Sequence, residues 1–503
     1  MKKLRICFTT DTHGYVFPTN FYSKTENNLP MGLLKCAAAF CKDENTLIID
    51  GGDTLQGSPF TYLLAKSSAG AYAQTMNRMG YDYVTLGNHD FNYGNAYLQS
   101  YLDALQAKCL CANIRHKESN LPIISQCVHT MPNGLRVGIV GVCTHHITKW
   151  EKQETLAELH IQNPLEILRT MGNIWEIPVD VRVCIYHGGF ECDVQTGKIL
   201  TDSDENQAYA IAKEFGFDIL LTGHQHISLA NHTIGHTHVV QNNCNAPHFC
   251  EVNLEWDNGV QHITSKHVAP AQRYDAWVAE PVLPYYSQVE QWLDKPLCTL
   301  SVPLVANAPL HNAIHGSLIC NFVNQIQLFE GKCMLSACSL ANEVKGLNQN
   351  VSVRDVVSTY VYSNTLCVLE LTGAQLKQYM EKTASYFALQ NGEPTVSEDF
   401  LLPKVAHYNY DYFYGLDYAF DIRKPVGERV VKMDYQGKPI VPAQKVSIIV
   451  NSYRASGTGG YDMLVGVPML QDIQKEVSGL IIERLEQTDT FTVDEKIPFT
   501  VIY

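Results

Sequence analysis

Five short apolar runs in the first half of the chain each lead into a polar motif. Ile6-Cys7-Phe8 precedes Asp11-Thr-His13, Leu47-Ile48-Ile49 precedes Gly52-Asp53, and Tyr83-Val84-Thr85-Leu86 precedes Gly87-Asn88-His89-Asp90. Val183-Cys184-Ile185 precedes His187-Gly-Gly, and Ile219-Leu220-Leu221 precedes Gly223-His224-Gln-His226. Runs of this kind, separated by helical stretches, read as buried strands of a layered α/β fold. In that architecture ligands gather at the carboxyl ends of strands. Residues i and i+2 leaving a strand point to the same side, so Asp11 with His13, and His224 with His226, can each face one site.

Singly, these motifs carry little information. Gly-Asp is ordinary turn chemistry, and an isolated histidine is more often a satisfied core or surface residue than a ligand. As a set at strand ends they supply carboxylate, imidazole and amide oxygen donors for two adjacent divalent ions. That mixture suits Mn, Zn, Fe, Co or Ni better than an all-oxygen Mg site. Such a pair of ions, about 3.5–4 Å apart, clamps a phosphoryl group and makes hydroxide from water near neutral pH. Gly235-His236-Thr-His238 repeats the last spelling, but it sits in a β-like stretch running into Val239-Val240, with Asn231 and Gly235 as turn signals. It reads as a strand with both histidines on one face, outside the ligand set.

A chain of 503 residues is too long for one ordinary core, so two or three domains are expected. Residues 1–275 hold the motifs and the strand–helix alternation, 276–300 read as a linking helix around Pro281–Leu297, and 301–503 form a second domain. Helices are expected at Thr61–Met79, ending near Gly80, at Asn206–Phe215, ending at Gly216, and at Gly373–Thr383. Strands are expected at Gly331–Leu340, Thr365–Leu371 and Lys445–Val450. No run approaches the roughly 20 apolar residues of a membrane span. The N-terminus has basic residues but no apolar core before the first motif, which predicts a cytoplasmic protein. Sixteen scattered cysteines without a CxxC pair read as buried reduced thiols. A formal charge of −14 argues against nucleic-acid polymers and anionic membranes as partners. It leaves small phosphate substrates open, because bound metals invert the local charge.

The order of the five motifs resembles the calcineurin-like metallophosphoesterase superfamily. In the second half, the stretch Asn364–Lys377, Tyr408-Asn-Tyr-Asp411 and Asn451-Ser-Tyr-Arg-Ala-Ser-Gly457 resemble the C-terminal domain of the 5′-nucleotidase family. The 2′,3′-cyclic-nucleotide 2′-phosphodiesterase/3′-nucleotidase branch is the nearest in likeness. The resemblance implies an N-terminal four-layer α/β/β/α metallophosphoesterase domain and a C-terminal α+β nucleotide-binding domain. It implies that Asp53 bridges two metals, that Asp11, His13 and His226 complete one site, and that Asn88, His187 and His224 complete the other. Hydroxide made at the metals would attack phosphorus in line with the leaving oxygen. His89 would stabilise the phosphoryl charge or protonate the leaving oxygen.

In the second domain the resemblance implies a nucleoside site in which a base stacks between two aromatic rings, worth roughly 1–3 kcal/mol. Tyr453 is one face; Tyr410 is the expected other, with Tyr408 as the fallback. The family's ribose-binding Asp is absent where Gly459 stands, and Asp462 is an offset candidate. Two further departures lean toward the cyclic branch. Many 5′-nucleotidases place an Asp where this chain has Asn92; an amide orients an imidazole without stabilising its cation, which predicts a lower His89 pKa. Asp90, where the family often has Glu, could partly replace the missing charge. The Asn-Gly-Gly-x-Arg loop of 5′-nucleotidases is replaced by Ser336-Ala-Cys-Ser-Leu-Ala-Asn342.

The expected function is therefore a two-metal hydrolase of 2′,3′-cyclic and 3′-nucleotides. A 5′-nucleotidase or nucleotide-sugar hydrolase of the same fold is the alternative. A non-catalytic nucleotide-binding protein is the alternative from another class.

Overall fold

The computed structural model describes residues 2–67, 69–118, 121–151, 153–171, 178–199, 204–257, 260–362, 364–402, 405–473 and 475–503. The chain forms two compact units, Met1–Glu290 and Gln291–Tyr503, that divide within the helix Leu283–Leu293.

The first unit is built on two sheets. In spatial order the first contains Val260–Val268, Phe249–Asp257, Lys2–Thr9, Thr46–Asp50, Tyr83–Val84, Lys108–Leu110 and Ile123–Ile124. From Lys2–Thr9 to Ile123–Ile124 the strands run parallel. The second contains Leu229–Ile234, Thr237–Gln241, Ile219–Thr222, Val181–His187, Arg136–Cys143 and Gln126–Thr130. Its four middle strands are parallel.

Alternate residues of the two sheets meet in one core. Ile6, Phe8, Leu47 and Ile49 from the first pack with Ile139, Val183, Ile185 and Leu221 from the second. The residues between them face outward and are buried too, which is why these strands read as continuous apolar runs. Cys184, Leu220 and Val239 lie under Leu168 of helix Pro164–Met171 and under Ile211 and Ala212 of helix Ala208–Glu214. On the far face of the first sheet, Cys7 Sγ reaches Phe40 O just past helix Leu33–Ala38. Thr9 meets Tyr81 just past helix Gly70–Met79. The layers are thus α/β/β/α.

The second unit has a five-stranded mixed sheet, in the order Tyr412–Tyr414, Leu335–Cys338, Lys445–Asn451, Leu366–Thr372 and Met469–Ile473. A four-stranded sheet joins Lys438–Pro439, Val430–Tyr435, Asp417–Asp421 and Phe499–Ile502. Helix Gly373–Ala384 starts where it does because of a capping box. Thr372 Oγ1 accepts from the Gln375 amide and Gln375 Oε1 accepts from the Thr372 amide.

Three local expectations are corrected. The helix expected over Thr61–Met79 is two helices, Pro59–Leu64 and Gly70–Met79. The Ser67 hydroxyl turns back to Leu64 O, and Gly70 is a poor helix former. The strand expected from Gly331 begins only at Leu335, because Gly331 closes helix Leu318–Gly331. The repeated Gly-His-x-His is a hairpin corner: Gly235 and His236 form the exposed turn, while His238 lies inside strand Thr237–Gln241 and bonds Ser265. The two histidines do not share a face.

The inter-sheet core carries the first unit. Ile185→Ala, at a fully buried position in that core, is expected to cost about 2–5 kcal/mol, as buried Ile-to-Ala truncations do, and urea denaturation of the purified variant measures it.

Candidate metal centre

The carboxyl ends of the two sheets converge, and backbone hydrogen bonds tie their loops together. Asp11 N donates to Gly52 O at 2.9 Å and His13 N to Asp53 O at 2.9 Å, linking the first two motifs. His187 Nδ1 reaches Gly51 O at 2.7 Å, and the His224 amide reaches the Asp11 carboxylate at 3.0 Å, linking one sheet to the other.

These ties gather the donors into two groups. Asp11, His13 and His226 offer ligand atoms within 4.8 Å of one another, as do Asp53, His187 and His224. His226 Nε2 lies 3.3 Å from Asp11 Oδ1 and 3.1 Å from His13 Nε2. Asp53 stands between the groups: its Oδ2 is 3.3 Å from His187 Nε2 and 4.0 Å from His13 Nε2.

Whether the residues fit a pair of cations is tested by what their polar atoms do. Asn88 Oδ1 is buried and makes no hydrogen bond with the described residues, a costly state unless a cation is the partner, and His187 Nε2 faces the Asp53 carboxylate at 3.3 Å. The opposite ring nitrogens are fixed. His13 Nδ1 is 3.0 Å from Gln56 O, His187 Nδ1 binds Gly51 O, and His224 Nε2 is 2.8 Å from Glu205 Oε1. Such outer contacts set the tautomer and orientation of a metal-binding imidazole. The donor set fits.

The backbone is shaped for this purpose. Asp11, His13, Asp53, His224 and His226 all have positive φ, between 45° and 73°. Non-glycine residues rarely adopt this region, and clustering of such residues marks functional sites. Two glycines make the close approach possible. A Cβ on Gly87 would stand 2.2 Å from Asp53 Oδ1, and one on Gly223 would stand 2.7 Å from Asp11 Oδ2.

His89 adjoins the cluster, its ring 5.6 Å from that of His13 and its amide donating to Asp53 Oδ1 at 2.7 Å. Its Nδ1 is 2.8 Å from Asn92 Oδ1. The expectation that Asp90 supplies charge to His89 is corrected. The Asp90 carboxylate is buried and accepts from the amides of Asp53, Thr54, Leu55 and Gly87 at 2.8–3.0 Å, so it shapes the loop instead. The carboxylate behind Asn92 belongs to Glu151, 2.8 Å from Asn92 Nδ2.

Glu151 and Glu205 went unread in the sequence because each acts through another side chain and stands in no motif. A third group joins His145 and His146, which follow strand Arg136–Cys143, to Asp204. The same rule of polar residues after an apolar run could have flagged its histidines. Lys149 Nζ stands 3.1 Å from His146 Nε2, where it would repel a cation.

Burial disfavours charge on His187 and His226, yet Asp53 and Asp11 outweigh it and raise the rings to about 9 and about 10. Burial equally opposes ionisation of Asp11 and Asp53, and the same histidines overcome it, holding both below the ordinary carboxylate range. His13 goes the other way: burial lowers it to about 4, so its Nε2 accepts from His226. Without cations, protons balance the carboxylates.

In the second unit, Arg454 joins the two tyrosine-bearing segments. Its guanidinium grips buried Asp411 at 2.6 and 3.1 Å and donates to Tyr408 O and Thr458 O. Tyr408 and Tyr453 emerge on the same side, half-buried, with ring centroids 6.3 Å apart and planes at 74°. Tyr410 does not join them. It is 2 % exposed, packs on Tyr386 and Phe387, and donates its hydroxyl to Ala313 O, so it offers no free face beside Tyr453; Tyr408 does adjoin Tyr453, but edge-to-face and not as the parallel pair expected. Asp462 is exposed at the start of the short helix Asp462–Leu464. Gly459 has φ +82°, and a Cβ there would lie 2.4 Å from Asn409 Oδ1, so this loop has no room for an acidic side chain at that position.

Residues 4–228 match the calcineurin-like phosphoesterase family, and residues 298–466 match the 5′-nucleotidase C-terminal domain. The structure is similar to that of a Staphylococcus aureus protein assigned as a 5′-nucleotidase and crystallised with α-ketoglutarate. The TM-score is 0.89 at 33% identity, over 100% of both chains. The 2′,3′-cyclic-nucleotide 2′-phosphodiesterase/3′-nucleotidase of Salmonella typhimurium is 23% identical over 90% of this chain and 81% of its own length. The Trifunctional nucleotide phosphoesterase protein YfkN of Bacillus subtilis is also 23% identical, over 98% of this chain, which spans 38% of that protein's length. The chain belongs to the 5′-nucleotidase family of calcineurin-like phosphoesterases and is a phosphoric ester hydrolase. That family uses divalent metal ions, in keeping with the donor groups described above. Among the described residues no helix is long and apolar enough to cross a membrane.

Cation uptake must displace the protons on His187 and His226. Affinity for Mn²⁺ is therefore expected to rise between pH of about 6 and about 9, with proton release on binding. Calorimetric titrations in buffers of different ionisation enthalpy measure both. Arg454→Met would leave Asp411 buried and uncompensated. It is expected to destabilise the second unit by about 3–5 kcal/mol in denaturant unfolding.

Proposed function

We propose that this chain is a two-ion hydrolase of nucleotide phosphoesters whose preferred substrates are 2′,3′-cyclic nucleotides and 3′-nucleotides. The observation that carries the reading is the Asp53 carboxylate, set between two donor groups, together with the buried and unpaired Asn88 Oδ1 of the neighbouring motif. Asp11, His13 and His226 would hold one ion and Asn88, His187 and His224 the other, with Asp53 shared between them. When bound, such ions supply positive charge to the phosphoryl oxygens and acidify a nucleophilic water.

The remaining chemistry rests on the chain. The His89 amide is spent on Asp53, which fixes the start of the side chain. Its Nδ1 is engaged by Asn92, which leaves Nε2 to hydrogen-bond the phosphoryl group or pass a proton to the leaving oxygen. In the second unit, Tyr408 and Tyr453, which meet edge-to-face, each offer an aromatic ring on which a base could stack whatever its identity.

Asn92 and the named Salmonella relative support the cyclic and 3′ preference, while the Staphylococcus neighbour supports the 5′-nucleotidase alternative. The test is a panel of 2′,3′-cyclic AMP, 3′-AMP and 5′-AMP with added Mn²⁺. Cyclic and 3′ substrates should be cleaved with kcat/KM about tenfold or more above 5′-AMP. The reverse order overturns the preference but keeps the hydrolase; no cleavage of any member overturns the nucleotide reading. His89→Ala should lower kcat by about 10²–10⁴. An unchanged kcat would remove His89 from the chemistry.

A further inference from the structure

We infer that Glu151 is a positioning residue that sets the tautomer of His89 through Asn92. The inference rests on the reading of His89 given above and names a residue that no motif contains. Glu151 lies just past the short helix Ile147–Trp150, is 7 % exposed, and is anchored by its own amide to Ile147 O at 2.9 Å.

A carboxylate oxygen accepts and cannot donate, so the Asn92 atom 2.8 Å from Glu151 Oε2 must be the NH₂ end. The planar amide then aims its oxygen at His89 Nδ1, 2.8 Å away. A carbonyl oxygen also only accepts, so Nδ1 must carry the hydrogen. In the neutral ring that leaves the lone pair on Nε2, the nitrogen that takes up a proton and then donates it toward the phosphoryl group or the leaving oxygen, while Nδ1–H stays on Asn92 throughout. Each hydrogen-bond direction follows from the one before it, starting at Glu151.

An Asp at position 92 would need no such help, because its carboxylate accepts whichever way it turns. An Asn is ambiguous. Rotated by half a turn, it would present NH₂ to Nδ1 and favour the opposite tautomer, with Nδ1 as acceptor. Glu151 removes the ambiguity from about 60 residues further along the chain. The backbone on the near side is equally fixed, since the Asn92 amide donates to His89 O at 3.2 Å. Glu151 therefore makes Asn92 serve as a one-directional acceptor.

The test uses the full chain loaded with Zn²⁺, a diamagnetic ion, and labelled with ¹⁵N in its imidazole rings. The His89 signals are assigned by their loss in His89→Gln. In the wild type, His89 should carry its hydrogen on Nδ1; a hydrogen on Nε2 alone overturns the inference without any variant. In Glu151→Leu, which has no acceptor, His89 should shift to the Nε2–H form or a mixture. Its kcat should fall about tenfold or more while KM stays within about twofold. Glu151→Gln keeps an acceptor oxygen and should retain the wild-type tautomer and most of kcat. Glu151→Leu holding His89 in the Nδ1–H form overturns the inference, as does equal damage in Glu151→Gln. These spectra do not depend on turnover. A catalytically unimportant His89 would sink the functional reading, whereas the wrong tautomer would sink this one.

Discussion

The hydrogen bond from the His187 ring to the Gly51 carbonyl joins the ends of two different sheets, and the site depends on that junction. The sheets share an apolar core, which fixes their separation but is indifferent to small slips along the strands. Polar contacts at the strand ends remove that freedom. His187 is locked onto the loop that carries Asp53, and the His224 amide is locked onto Asp11. Four motifs from two sheets are thereby held to hydrogen-bonding tolerance. Without those contacts, a cluster of buried carboxylates and imidazoles would pay for desolvation with no compensating geometry.

Much of this was legible in the chain. Apolar runs with no polar alternation mark strands covered on both faces, and Cys7, Ile48 and Leu220 are buried on the outward face accordingly. The donor residues were visible because each stands two to five residues past such a run. The misses have physical causes. Thr61–Met79 has helical periodicity throughout, but hydroxyl-to-backbone bonding at Ser67 ends one helix before the next begins. Tyr408 and Tyr410 are alike as letters; only packing against Tyr386 and Phe387 consigns the second to the interior. Asp90 reads as an acid next to a histidine, and its destination among four backbone amides is a property of the folded loop. Glu151 and Glu205 reach the site through other residues, so no local spacing could announce them.

The second unit shows a related economy. Buried Arg454 reaches Asp411 and the backbone of Tyr408 and Thr458, and it lies over the Tyr461 ring at 4.0 Å. One side chain thus sets the relative placement of two segments distant in sequence, each bearing a half-buried tyrosine ring. Tyr379 adds its hydroxyl to the same carboxylate at 2.6 Å. The spacing of the Tyr408 and Tyr453 rings is thereby delegated to an ion pair beneath them.

The left-handed backbone at Asp11, His13, Asp53, His224 and His226 has a consequence for how such a centre is dissected. Replacing any of these by alanine removes a donor atom and also installs a residue that resists the required φ. An alanine scan would therefore mix lost coordination with a reshaped loop, and would overstate what each donor contributes. Asparagine tolerates that region better than alanine does, so an Asp-to-Asn replacement removes the donor's charge while leaving the loop its backbone conformation.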